Sequence, residues 1–147
     1  MIILDTNVVS ELMRPTPDPK VRSWIAERRG GELVTTSITL AEILYGLARL
    51  PPGRRKDLLE STATKLFATF GGQVLPFDRA AAGHYADIVS NRDQRGLPID
   101  GFDAQIAAVC RERKAALATR NPTDFEHTGV DLIDPWRGHH NVAPQQT

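Results

Sequence analysis

The chain has a single cysteine, Cys110, which excludes an internal disulfide and is the usage expected in a reducing cytosol. It has no apolar run approaching the roughly 18–20 residues that cross a bilayer. No basic stretch precedes its apolar start, so neither a membrane span nor a secretory signal is expected. It has no excess of either charge. With 18 Lys and Arg against 18 Asp and Glu, no global basic field marks it for nucleic acid, and any such site must be local. The phosphate-cradling patterns GxxxxGKS, GxxxxGKT and GxGxxG are missing. His84, His127, His139 and His140 lack partners at zinc-ligand spacing, and Ser10 and Ser37 lack evident His–Asp partners. Repeats, low-complexity blocks and linkers between domains are absent as well.

What is present is a chain of 147 residues with short apolar strands alternating with helices. Such a chain is long enough to bury a real core in one domain. Residues 2–4 read as a buried strand, followed by a helix over 8–13. Asp18 caps a helix that has Pro19 at its first position. Residues 32–36 form a strand and 37–50 a helix, with Thr39 and Glu42 spaced as a capping box and Pro51-Pro52 as the stop. A long helix runs from about Arg54 to Phe70, closed by Gly71-Gly72. Residues 73–77 are strand-like, and Asp78 caps a helix to about Arg95. The helix over 101–113 ends in basic residues that suit the negative end of its dipole. Strands follow at 115–120 and 130–134. The alternation predicts a single α/β domain over 1–136, with a parallel sheet covered by helices on both faces, and a loose, flexible tail over 137–147.

In such sheets ligands bind beyond the carboxyl ends of the strands, and Asp5 stands at one of those ends. Residues 119–124 follow another. Helical phase places two more acids at the border of buried stripes. Asp103 lies about 20° beyond Cys110, on an arc shared by Phe102, Ile106 and Val109. Glu42 lies about 60° past Tyr45, close to Ile38. Each acid also has a local explanation. Asp5 can cap the next helix, Glu42 can close a capping box, Asp100 and Asp103 can be first-turn acids of one helix, and Asp124 can serve a turn. Jointly the pattern asks for more, because converging carboxylates repel unless a cation neutralises them. An oxygen-donor set suits Mg²⁺ or Mn²⁺, which bind phosphate oxygens and activate water for in-line attack. Cys110, mid-helix on the apolar face, reads as core rather than as a nucleophile.

The stretches ILDTNVVSEL, SITLAEILYGL, FDAQIAAVC and LATRNPTDFE, in order, resemble the PIN-domain family, and specifically its VapC/FitB-like toxins. Pro76-Phe77 and Asp134-Pro135-Trp136 strengthen the likeness, which covers residues 1–136. The resemblance implies an α/β/α sandwich and a Mg²⁺- or Mn²⁺-dependent ribonuclease using one or two ions. It assigns Asp5, Glu42 and Asp103 to the metal site, with Asp124 from TRNPTDF as the fourth acid. Where close FitB-like relatives can carry an acid directly after TR, this chain has Asn121, a neutral helper. Asp100 is a spare carboxylate. Thr6, Asn7 and Ser37 would position ligands or water, and Arg120 would contact a phosphate. The resemblance further implies a cytoplasmic toxin with a cognate antitoxin, an RNA substrate and no membrane. A homodimer or a larger toxin–antitoxin assembly would follow from it. The rival readings are a catalytically silent binding module, a DNA-cleaving relative and a phosphoacceptor receiver domain. The receiver lacks its expected lysine, since the late strand ends in Arg120-Asn121.

Overall fold

The three residues of β1 (Ile2–Leu4) divide their side chains between two cores, and the whole architecture follows from that division. In the computed structural model, which describes residues 1–70 and 73–141, Ile3 points into one core while Ile2 and Leu4 point into the other. This is the period-2 alternation of a strand buried on both faces. Leu117 and Ala118 in β4 (Ala116–Ala118) split in the same way, as do Leu132 and Ile133 in β5 (Leu132–Asp134). β2 (Leu33–Thr36) and β3 (Val74–Leu75) complete the parallel part. With β6 (His139–Asn141) at the edge, the strand order is β3-β2-β1-β4-β5-β6, parallel except for the last pair.

One face is covered by α5 (Arg79–Gln94) and α6 (Gly101–Arg113). Ala104, Ala107 and Ala108 are fully buried, and such small side chains let α6 lie close against its neighbours. The other face carries α1 (Thr6–Leu12), α2 (Pro19–Ala26), α3 (Ser37–Ala48) and α4 (Arg54–Thr69). Asp18 caps α2 and Asp78 caps α5, as their sequences predict. Cys110 is completely buried in the α5/α6 core, and that burial pushes its thiol above the ordinary range, as an inert core residue requires.

The structure corrects four local readings. The first helix begins at Thr6, not Val8, and Asp5 itself caps it by accepting the Thr6 amide at 2.8 Å. The capping box of Thr39 and Glu42 does not form. Thr36 caps α3 through the Thr39 amide at 3.1 Å, because the chain turns into the helix directly from β2. Phe102 is 54% exposed: it is left uncovered, although Ala104 in the same first turn is fully buried. Beyond Trp136 the chain turns at Gly138 (φ 66°), and β6 (His139–Asn141) runs antiparallel to β5 where a loose tail is expected. The expected Gly71-Gly72 helix stop and the tail from 142 onward lie outside the described residues. No helix of the described residues is long and apolar enough to cross a membrane.

Candidate metal centre

Strand order fixes where the site can be. From β1 the chain crosses to β2 on one side, and later returns to β4 on the other. The crevice beyond the carboxyl ends of β1 and β4 is therefore the switch point, where an open α/β sheet binds its ligands. Leu4 pairs with Ala118, so Asp5 and Thr119 leave the sheet side by side. A cavity of about 590 Å³ opens there. Asp5, Glu42, Asp103 and Asp124 all line it, together with Thr6, Asn7, Ser10, Glu11, Arg14, Arg120, Asn121 and Phe125.

Asp5 is the most enclosed of the four acids, 5% exposed. Its Oδ1 accepts the Thr6 amide at 2.8 Å, and its Oδ2 accepts the Thr119 hydroxyl at 2.8 Å. Burial raises its pKa. These two hydrogen bonds oppose the shift, while the charges of Glu42 and Asp124 add to it. Glu42 is half-buried on α3, in its second turn, and its Oε1 accepts the Thr6 hydroxyl at 2.9 Å. That hydroxyl also lies 3.1 Å from the Thr39 Oγ1, so a threonine chain sets the Glu42 carboxylate against α1.

Asp103 sits in the first turn of α6, where partial burial raises its pKa to about 7. The negative charges of Asp5, Asp100, Asp124 and Glu42 reinforce the shift. Asp124 is exposed at the rim, on a 3₁₀ turn over Pro122–Phe125. Asn121 starts that turn, and its backbone amide donates to the Thr119 Oγ1 at 3.2 Å. Asn7 reaches across from α1, donating to the Thr119 Oγ1 at 3.4 Å and accepting the Arg120 amide at 3.2 Å. The Arg120 guanidinium lies 5.0 Å over the ring of Trp136.

Two expected contributors stand apart. Asp100 is the exposed cap of α6, bonded to the amides of Phe102 and Asp103, and reaches the site only through its charge. Ser37 is the first residue of α3 and does not line the cavity. Thr119 is the residue that sequence reasoning missed. Only the pairing of β1 with β4 reveals it beside Asp5, and no local pattern carries that pairing.

The donor set fits a hard divalent cation. Every polar side-chain acceptor it presents is oxygen, from carboxylates, hydroxyls and amides. The ion pairs Arg14–Glu11, Lys56–Glu60, Arg113–Glu112 and Arg137–Asp134 involve none of the four acids. The acids ring the cavity rather than converge on a point. Among the described residues, no three His, Cys, Asp or Glu side chains stand close enough together to enclose an ion as placed. Mutual repulsion favours such spacing, and it also makes a cation favourable there.

The fold, the switch-point crevice and the acid ring together define a class. The PIN-domain model matches residues 2–130, and the chain belongs to that family. Within it, the chain is 38% identical over 137 residues to the VapC ribonuclease Y4jK of Sinorhizobium fredii, covering 92% of this chain and 98% of that protein. It is 36% identical over 137 residues to the toxin FitB of Neisseria gonorrhoeae, covering 92% and 99% respectively. The solved structure of FitAB bound to an IR36 DNA fragment matches with a TM-score of 0.88 at 35% identity, over 96% of this chain and 99% of that one.

Proposed function

We propose that the chain is a Mg²⁺- or Mn²⁺-dependent endoribonuclease and acts as the toxin of a toxin–antitoxin pair. The observation that carries this reading is the ring of Asp5, Glu42, Asp103 and Asp124 around one switch-point cavity, with Asp103 raised to about 7 by burial and by the other acids. A group in that state is under strain that a cation relieves. A divalent cation bound there supplies charge neutralisation for a phosphodiester and acidifies water towards neutral pH.

The chain's own residues do the rest. Thr119 and the Thr6 amide fix both oxygens of Asp5, and the Thr6 hydroxyl fixes Glu42, so both carboxylates are held before any ligand arrives. Asp103 must lose its proton to act as a ligand. Asp124 is the exposed acid of the four, at the rim of the cavity. Arg120 stands at the same rim, its guanidinium stacked on Trp136 and free to hold a phosphate by paired hydrogen bonds.

Such an activity inside its own cytoplasm needs a restraint, and a cognate antitoxin provides it. A second groove of about 600 Å³ adjoins the acid cavity, lined by Met13, Ile43, Leu47, Leu50, Leu58 and Leu59. Thr6, Ser10, Arg14 and Glu42 border both, so a partner lying in the groove reaches the acids directly. The outward Leu44 and Tyr45 of α3, 53% and 65% exposed, suit pairing with a second copy.

The purified chain is expected to cleave RNA in Mg²⁺ or Mn²⁺, to stop on chelation with EDTA, and to lose activity in Asp5→Ala. Cleavage indifferent to chelation and to that substitution would overturn the proposal, and single-stranded DNA cut as well as RNA would make it a general nuclease. The same complete acid ring disfavours a silent binding module.

A further inference from the structure

Arg92, near the end of α5, is 6% exposed, and the acid cavity does not include it. Burying a guanidinium is costly, and the cost is tolerated when its donors are satisfied. Here they are satisfied by backbone carbonyls. Nε donates to Leu97 O at 2.6 Å and Nη2 to Pro98 O at 3.4 Å, both in the loop that leads into α6. Nη1 donates to Asp124 O at 3.2 Å and to Glu126 O at 2.6 Å, in and just after the 3₁₀ turn. The preceding residue assists, since Asn91 Nδ2 donates to His127 O at 3.1 Å.

Both segments gripped by Arg92 carry site acids. The 97–100 loop delivers the Asp100 cap and, three residues on, Asp103. The 122–126 segment has only a four-residue 3₁₀ turn of its own, and it carries Asp124. We propose that Arg92 is a positioning residue, a buried clip that fixes the segments bearing Asp103 and Asp124 relative to each other, so that the two acids face one cavity. This rests on the metal-centre reading above. Arg92 acts through backbone carbonyls rather than by pairing with the acids, so a lysine keeps its charge but not its planar fork of donors.

The test is Mn²⁺ binding to the purified chain, measured by calorimetry beside thermal melting, for wild type, Arg92→Lys, Ile88→Val and Asp5→Asn. Ile88 is a fully buried core residue of the same helix and serves as a stability control. Arg92→Lys is expected to weaken Mn²⁺ binding about 10–100-fold, the usual scale for residues that orient metal ligands. Ile88→Val is expected to lower the melting temperature with Mn²⁺ affinity unchanged. Unchanged Mn²⁺ affinity in folded Arg92→Lys, or an equal loss in Ile88→Val, overturns the assignment. Should Arg92→Lys not fold, Asn91→Ala decides: a two- to fivefold loss (a smaller effect, from one removed tie) supports the clip, and no loss overturns it. Asp5→Asn binding Mn²⁺ as well as wild type overturns the metal-centre reading itself, and the clip with it.

Discussion

At Asp5, capping and ligation make claims on one carboxylate, and the structure divides them by oxygen and lone pair. Oδ1 takes the Thr6 amide and Oδ2 the Thr119 hydroxyl, and each carboxylate oxygen has a second lone pair for a cation. The neighbouring polar side chains are engaged elsewhere: Thr6 holds Glu42, and Asn7 ties the start of α1 to Arg120. Asp5→Asn is expected to reduce RNA cleavage by more than about 100-fold, since even residues behind the ligands cost about 10–100-fold. Its melting temperature without metal should stay within a few degrees of wild type, because a neutral amide escapes the burial and repulsion that raise Asp5. Thr119→Val tests the support. Losing a buried donor to the carboxylate should cost about 1–3 kcal/mol of unfolding free energy in denaturant titration. Because that hydrogen bond holds the Asp5 pKa down, an NMR titration of the metal-free variant should show Asp5 ionising at higher pH than in wild type.

At the scale of the element, the helix over 101–113 is legible almost to the residue, because Asp100 announces its start and Arg111, Arg113 and Lys114 its end. Helical phase also places Asp103 correctly at the cavity, although Phe102, on the same predicted arc, projects outward. The period gives a direction but not whether a neighbour covers it: in one first turn Ala104 is covered and Phe102 is not. The same phase argument points to Glu42, but the Thr39–Glu42 spacing matches a local box while tertiary packing brings Thr6 within reach instead. Asp100 and Asp103 now have separable roles. Asp100→Ala should cost about 0.5–2 kcal/mol in stability as a lost helix cap, yet keep cleavage within a few-fold of wild type. It should also lower the Asp103 pKa by removing a neighbouring charge. Asp103→Ala should abolish cleavage.

For the whole molecule, the alternation of strands and helices made the α/β class readable, but not which strands are neighbours. The bond from Asn7 to Thr119 spans 112 residues, and no local pattern encodes such a pairing. The site's coupling to stability is also a property of the whole. Native Asp103 keeps its proton to about pH 7, whereas its ordinary value is 3.8. Between those values the native state binds more protons than the unfolded chain, so this group makes the metal-free protein less stable as pH rises through the window. A melting series without metal should show that loss between about pH 4 and 7, and saturating Mn²⁺ should reverse it most strongly at the upper end, because binding displaces the proton. The claim beneath all of this is that the acid ring holds a divalent cation. Its most direct measurement is anomalous diffraction from crystals of the chain grown with Mn²⁺. A peak is expected in the switch-point cavity, in contact with the carboxylates of Asp5 and Asp103. A cavity without a peak at saturating Mn²⁺, or a peak bound only elsewhere, would contradict it.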